Sequence, residues 1–304
     1  MSYLHENQKL FKEVLASASN DLGLNQDIIE KDYYVTLILK ELAIRCPDCV
    51  FKGGTSLSKC HRVIERFSED IDIAFINELS QGKRKQLKNE IILGISEYLR
   101  LPIADWENAR SRRDYNCYTF SYKPVNEYLS DKRLIQGVRM ETVLSSIAFP
   151  VSEMPVDSYI YRYLIKDNKE IIEEYDLYPF EMNVQGIDRT FIDKVFAVCD
   201  YYLLGKTKRY SRHLYDIHMI YPLIEINDEF KELIKEVRSI RANMSSCPSA
   251  DSGISISRLL KDITEKEYFR KDYEDITSCF LNRPLSYETV MGTIKEIAER
   301  KILG

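Results

Sequence analysis

The segment from Phe51 to Phe75 constrains this chain more than any other. In Glu69-Asp70-Ile71-Asp72-Ile73-Ala74-Phe75, the apolar Ile71, Ile73 and Phe75 alternate with Asp70, Asp72 and Ala74. Period-two alternation is the pattern of a strand with one face in a core, so Asp70 and Asp72 share the opposite face. Upstream, Phe51-Lys52-Gly53-Gly54-Thr55-Ser56-Leu57-Ser58-Lys59 follows a short strand at Cys49–Phe51. Its glycines predict a tight turn at Gly53-Gly54, and the residues after them a helix from Thr55 to Ile64.

Each half of this segment has its own chemistry. Glycines lack a Cβ and let backbone amides approach a phosphate, which the start of a helix favours further. The hydroxyls of Thr55, Ser56 and Ser58 and the charge of Lys59 add to that expectation. Two carboxylates on one strand face suit Mg²⁺, with Mn²⁺ the alternative, because such ions take hard oxygen ligands. Two metal ions held there could clamp the attacking and leaving oxygens of an in-line displacement. Such a site calls for a third carboxylate from a neighbouring strand. Glu141 is the candidate, as the only acid inside the expected strand Leu134–Leu144. A D-x-D pair alone more often marks a strand with a solvated acidic face; the glycine turn a short helix upstream reverses that balance.

Around this segment the chain reads as α+β. Helices fill the first forty-five residues, with Asn25 as an N-cap and Pro47 as the stop. A polar helix at about Lys83–Leu99, strands at Tyr115–Tyr122 and Leu134–Leu144, and a short strand near Phe180–Val184 complete a small mixed sheet with packed helices. Beyond Asp188 the pattern is helical: Arg189–Leu204, Arg209–Tyr221, Asp228–Asn243, Arg258–Leu281 and Tyr287–Lys301. The expectation is a catalytic domain at 1–185 and a helical domain at 186–304 that completes the active-site cleft.

Composition narrows the function classes. A formal charge of −5 argues against indiscriminate binding to nucleic acid. It leaves room for local basic clusters such as Lys83-Arg84-Lys85 and Lys206-Thr207-Lys208-Arg209, each more often a solvated surface. The absence of a long apolar run excludes a membrane-spanning helix, and the opening residues lack a secretory pattern, so a cytoplasmic location is expected. Seven cysteines form no disulfide-like framework, and the C-x-x-C at Cys46 and Cys49 lacks the second pair that zinc would need. The four histidines are scattered and suggest no nucleophilic triad.

Gly53-Gly54-Thr55-Ser56-Leu57-Ser58-Lys59 followed by Arg66-Phe67-Ser68-Glu69-Asp70-Ile71-Asp72 resembles the signature of the AbiEii/AbiGii nucleotidyltransferase toxins. That family, which includes MenT-like enzymes, lies in the DNA polymerase beta-like nucleotidyltransferase superfamily. Ile29-Glu30-Lys31-Asp32-Tyr33-Tyr34-Val35-Thr36 is similar to the family's helix before the catalytic strand. Arg189-Thr190-Phe191-Ile192-Asp193-Lys194 is similar to the helix carrying its lysine, and Arg212-His213-Leu214-Tyr215-Asp216 to its last motif. Thr55 stands where wider relatives often have serine, and His213 where many have a second aspartate.

The resemblance implies transfer of a nucleoside monophosphate from an NTP to an acceptor hydroxyl, with Asp70, Asp72, Lys194 and Asp216 as catalytic residues. It implies RNA as the acceptor, the 3′ end of tRNA foremost, and a separately encoded antitoxin as the protein partner. Lys194 would meet a nucleotide phosphate, although a lysine on so apolar a helix can also snorkel to water. Asp216 would belong to the active site, although an i,i+4 pair with Arg212 would explain it without function. Two alternatives stand beside this reading. One is the same chemistry on a small molecule or a protein side chain; the other is a non-catalytic member that only binds a nucleotide or partner.

Overall fold

The computed structural model describes residues 2–125 and 136–304. They divide into two compact units: Met1–Cys60 with Ser68–Gln185, and His61–Phe67 with Gly186–Gly304. The second unit thus takes seven residues from within the motif region as well as the C-terminal part.

The first unit is α+β, as the alternating patterns predict. Helices α1 (Gln8–Leu22) and α2 (Gln26–Arg45) precede strand β1 (Cys49–Lys52). Asn25 caps α2 by accepting the Asp27 amide, satisfying one of the helix's first unpaired N–H groups. Helix α3 (Gly53–Lys59) leads toward β2 (Ile71–Phe75). A helical run follows as α4 (Gln81–Gln86), a π-helical stretch Leu87–Ile92, and α5 (Leu93–Leu99). Then come β3 (Tyr115–Phe120), β4 (Val138–Ile147), β5 (Val151–Val156), α6 (Tyr159–Leu164), α7 (Lys169–Glu174) and β6 (Phe180–Gln185).

The six strands form one mixed sheet in the order β3-β4-β2-β1-β6-β5. The β2–β4 and β1–β6 pairs are parallel and the other three antiparallel. Ile71, Ile73 and Phe75 enter the large apolar core with Phe11, Tyr33, Ile38 and Leu39 of the first two helices. Ala74 faces the other way, into a small cluster with Val50 and Ala148. The alternation read from sequence therefore assigns the faces of β2 as expected.

Several boundaries differ from the sequence-based expectation. Helix α3 begins on the glycines themselves and ends at Lys59, short of Ile64. Arg62 adopts a left-handed conformation (φ 56°), which a helix cannot continue through. Strand β4 starts at Val138 among the described residues, and the expected start at Leu134 lies outside them. Strand β5 was not expected from the sequence, and it carries Pro155. As the last strand in the sheet order it is an edge, where proline is tolerated.

The second unit is helical: α8 (Ile187–Leu203), α9 (Arg212–Ile220), α10 (Asp228–Ala242), α11 (Ile256–Glu265), α12 (Arg270–Asp275) and α13 (Tyr287–Glu299). The single helix expected over Arg258–Leu281 is broken. Glu267 is left-handed (φ 47°), and no glycine or proline in that stretch announces the break. No helix among the described residues is long and apolar enough to cross a membrane.

Candidate active site

The glycine turn and the acidic strand meet directly. Lys52 pairs with Asp72 across the antiparallel β1–β2 ladder, and Gly53 follows in a left-handed conformation (φ 80°). A Cβ built on Gly53 would lie 2.0 Å from Asp72 Oδ2 and 2.8 Å from its Cγ. Glycine is thus required twice, for the backbone angle and for the space the Asp72 carboxylate fills. Gly53→Ala is expected to destabilise the first unit by about 1–3 kcal/mol through strain and forced displacement of Asp72. Thermal melting checks this; an unshifted Tm would show that the carboxylate moves aside without cost.

Side chains of α3 are committed to holding this arrangement. Thr55 Oγ1 donates to the Asp70 carbonyl at 2.5 Å and lies 2.9 Å from Ser68 Oγ. Ser56 Oγ donates back to the Gly53 carbonyl at 3.0 Å. Both residues are buried. Lys59 was expected to bring charge to a phosphate, but its ammonium is buried against Asp32 Oδ1 (2.5 Å), Thr36 Oγ1 (2.8 Å) and the Asp157 carbonyl (3.0 Å). Three partners use the three donors an ammonium has. Thr55, Ser56 and Lys59 therefore position the turn and Asp70, while Gly53 makes the close contact.

The third acid stands where strand alternation places it. Glu141 on β4 is the register partner of Asp72 in the parallel β2–β4 pair, so both project from one face. Burial pushes the Glu141 carboxyl up, the charge of Asp72 pushes it further, and Asp70 adds to the same direction. Arg139, two residues earlier on the same face, opposes this with Nη2 2.7 Å from Glu141 Oε1. Among the described residues no three His, Cys, Asp or Glu side chains are gathered closely enough to hold a metal ion as they stand. The donor set nonetheless fits a hard divalent cation: three carboxylates on one face, two of them raising the pKa of the third.

Helix α2 ties the two motifs together, a role the sequence reading did not assign. Adjacent residues reach different parts of the site. Lys31 Nζ lies 2.5 Å from Glu69 Oε2, just before Asp70, and Asp32 binds Lys59 at the end of α3. Asp32 Oδ2 also accepts the Tyr159 amide at 2.8 Å. All four charged side chains are buried. The signals in the sequence were the charged Glu30-Lys31-Asp32 run and its place in the Ile29–Thr36 segment that resembles the family's helix, since buried charges persist only when paired.

Lys194 and Asp216 come together within the second unit. Asp216 is fully buried, and Lys194 Nζ lies 2.6 Å from its Oδ2. Arg66 completes the group with a two-pronged contact, Nε to Oδ1 and Nη2 to Oδ2, both 2.7 Å. Burial alone would raise the Asp216 carboxyl, yet Arg66 and Lys194 outweigh it and hold the group well below the usual carboxylate range. The anion that Lys194 meets is thus the protein's own. Asp216 is bound by Arg66, 150 residues away in sequence, a partner other than the Arg212 considered for it. Arg66 opens the motif that ends in Asp72, and that place in the motif was the only sequence signal for it.

The family described as "Nucleotidyl transferase AbiEii toxin, Type IV TA system" matches residues 38–291. Among the curated proteins compared, none matches the chain. Among solved structures the chain is similar to MenT4, the nucleotidyltransferase toxin Rv2826c from Mycobacterium tuberculosis H37Rv. The identity is 16%, the TM-score 0.49, and the likeness covers 96% of this chain and 93% of that one.

Proposed function

The chain belongs to the nucleotidyl transferase AbiEii toxin family, and from that premise we propose that it transfers a nucleoside monophosphate from an NTP to the 3′-terminal hydroxyl of tRNA with Mg²⁺ at Asp70, Asp72 and Glu141. It is a nucleotidyltransferase toxin of a type IV toxin–antitoxin system, with an NTP as substrate, a divalent metal ion as cofactor and an antitoxin as partner. The observation that carries the site assignment is the packing of the Asp72 carboxylate against Gly53, which brings the glycine turn to the acids.

In the reaction, the acceptor oxygen bonds to the α-phosphorus of the NTP as the bond to the bridging oxygen of the β-phosphate breaks. Pyrophosphate leaves, and the proton of the acceptor hydroxyl passes to water. Asp70 and Asp72, with Glu141 as third ligand, would hold the metal, which supplies charge neutralisation at the phosphates. Gly53 carries no side chain where the Asp72 carboxylate packs, so the turn at Gly53 and Gly54, which would meet the triphosphate, stays beside those acids. Thr55 and Lys59 keep the turn and the Asp70 backbone in place by the hydrogen bonds described above. By the family resemblance Lys194 would contribute positive charge to the reaction, and within its own unit Asp216, itself held by Arg66, fixes where that charge sits.

Incubation with total RNA and each NTP in turn, labelled at the α-phosphate or at the γ-phosphate, tests this reading. The α-label is expected on RNA of tRNA length and the γ-label only in released pyrophosphate. Label on protein or a small molecule overturns the RNA acceptor, and γ-label on RNA overturns nucleotidyl transfer in favour of phosphorylation.

A further inference from the structure

Arg139 forms an ion pair with Glu141, one of the proposed metal-ligand carboxylates. It alternates with Glu141 on β4, so the two side chains share a face, and its Nη2 lies 2.7 Å from Glu141 Oε1. The parallel register pairs Ile71 with Met140 and Asp72 with Glu141, which sets Arg139 level with Asp70. The charge of Asp70 acts on the Arg139 guanidinium, as does that of Glu141. On the far side, Thr119 and Cys117 of β3 are the register partners of Arg139 and Glu141. The Arg139 side chain remains about one-third exposed, so it has a path toward solvent.

We propose that Arg139 is a built-in counter-cation of the metal site, neutralising Glu141 in the metal-free protein and yielding that carboxylate when the divalent ion binds. The inference rests on the metal assignment above and adds a competition to it. Three carboxylates on one face repel one another, and a guanidinium relieves that repulsion where no metal does. A divalent ion and a guanidinium cannot share Glu141 without mutual repulsion, so one charge must leave as the other arrives. Arginine suits the role because it is always protonated and its long side chain is partly exposed.

The test is calorimetric titration of the full chain with Mn²⁺ alone, for the wild type, Arg139→Gln, Arg139→Lys and Asp72→Asn. Arg139→Gln keeps hydrogen-bond donors and loses the charge, so it should bind Mn²⁺ roughly tenfold more tightly than the wild type. Arg139→Lys keeps the charge and should bind close to wild type. Melting curves give a second measurement that tolerates a weakened fold: Mn²⁺ should raise the Tm of Arg139→Gln more than that of the wild type. Equal or weaker Mn²⁺ binding by Arg139→Gln, with binding by the wild type and none by Asp72→Asn, overturns the competition and leaves the metal site standing. Absence of Mn²⁺ binding in every protein, or unchanged binding in Asp72→Asn, overturns the metal assignment itself and the inference with it.

Discussion

Asp72→Asn should reduce nucleotidyl transfer by at least about a thousandfold while the protein remains folded. Asparagine keeps the shape that packs against Gly53, so the contact with the glycine turn survives the change. What is lost is one negative charge and one strong oxygen ligand, on the face shared with Glu141. Asp72 is half-buried, and its loss also removes a charge that raises the Glu141 carboxyl. Activity and stability are expected to move apart: label transfer falls to background while the protein still melts cooperatively. Transfer within tenfold of wild type would remove Asp72 from the metal site.

The second large effect lies in the helical unit. Asp216→Asn should destabilise the protein by about 3–5 kcal/mol, because it leaves Arg66 and Lys194 buried without their counter-charge. Denaturant midpoints measure this directly. The pH dependence gives an independent signature. The folded state holds the Asp216 carboxyl below its unfolded value of about 3.9, so the folded protein binds that proton more weakly than the unfolded chain. The stabilisation is fully present above that value and is lost as pH falls through the lower folded one. Asp216→Asn should flatten the acid limb of the stability profile below about pH 4. Lys194→Met is the companion variant: Arg66 still pairs with Asp216, so the fold is expected to survive, while transfer falls by roughly a hundredfold. A Lys194→Met protein with wild-type rate would make the triad purely structural.

These two sites also separate what could be read early from what could not. The faces of β2 followed from alternation, because a strand's side chains obey a local period that the sequence displays directly, and Glu141 stood out as the only acid in its expected strand. The Asn25 cap followed from chemistry two residues long, and the glycine turn from the need for backbone freedom. Such features depend on neighbours in the chain.

Partner choice among the buried charges depended on tertiary structure alone. Lys59 looked like a phosphate ligand, yet it takes Thr36 and the Asp157 carbonyl, 23 and 98 residues away. Asp216 has a cation four residues off in Arg212, yet it also binds Arg66, 150 residues away in the motif region. The long helix expected after Arg258 broke at Glu267 with no local breaker, and β5 formed despite Pro155 because it lies at an edge. The physical reason is common to all of these. A buried charge or an irregular backbone angle costs several kcal/mol by itself, and only contacts formed across the completed fold decide which partner offsets it. By itself the sequence determined which residue types the reaction needs and which strand face carries them; the tertiary structure decided which of the remaining charges hold that face in place.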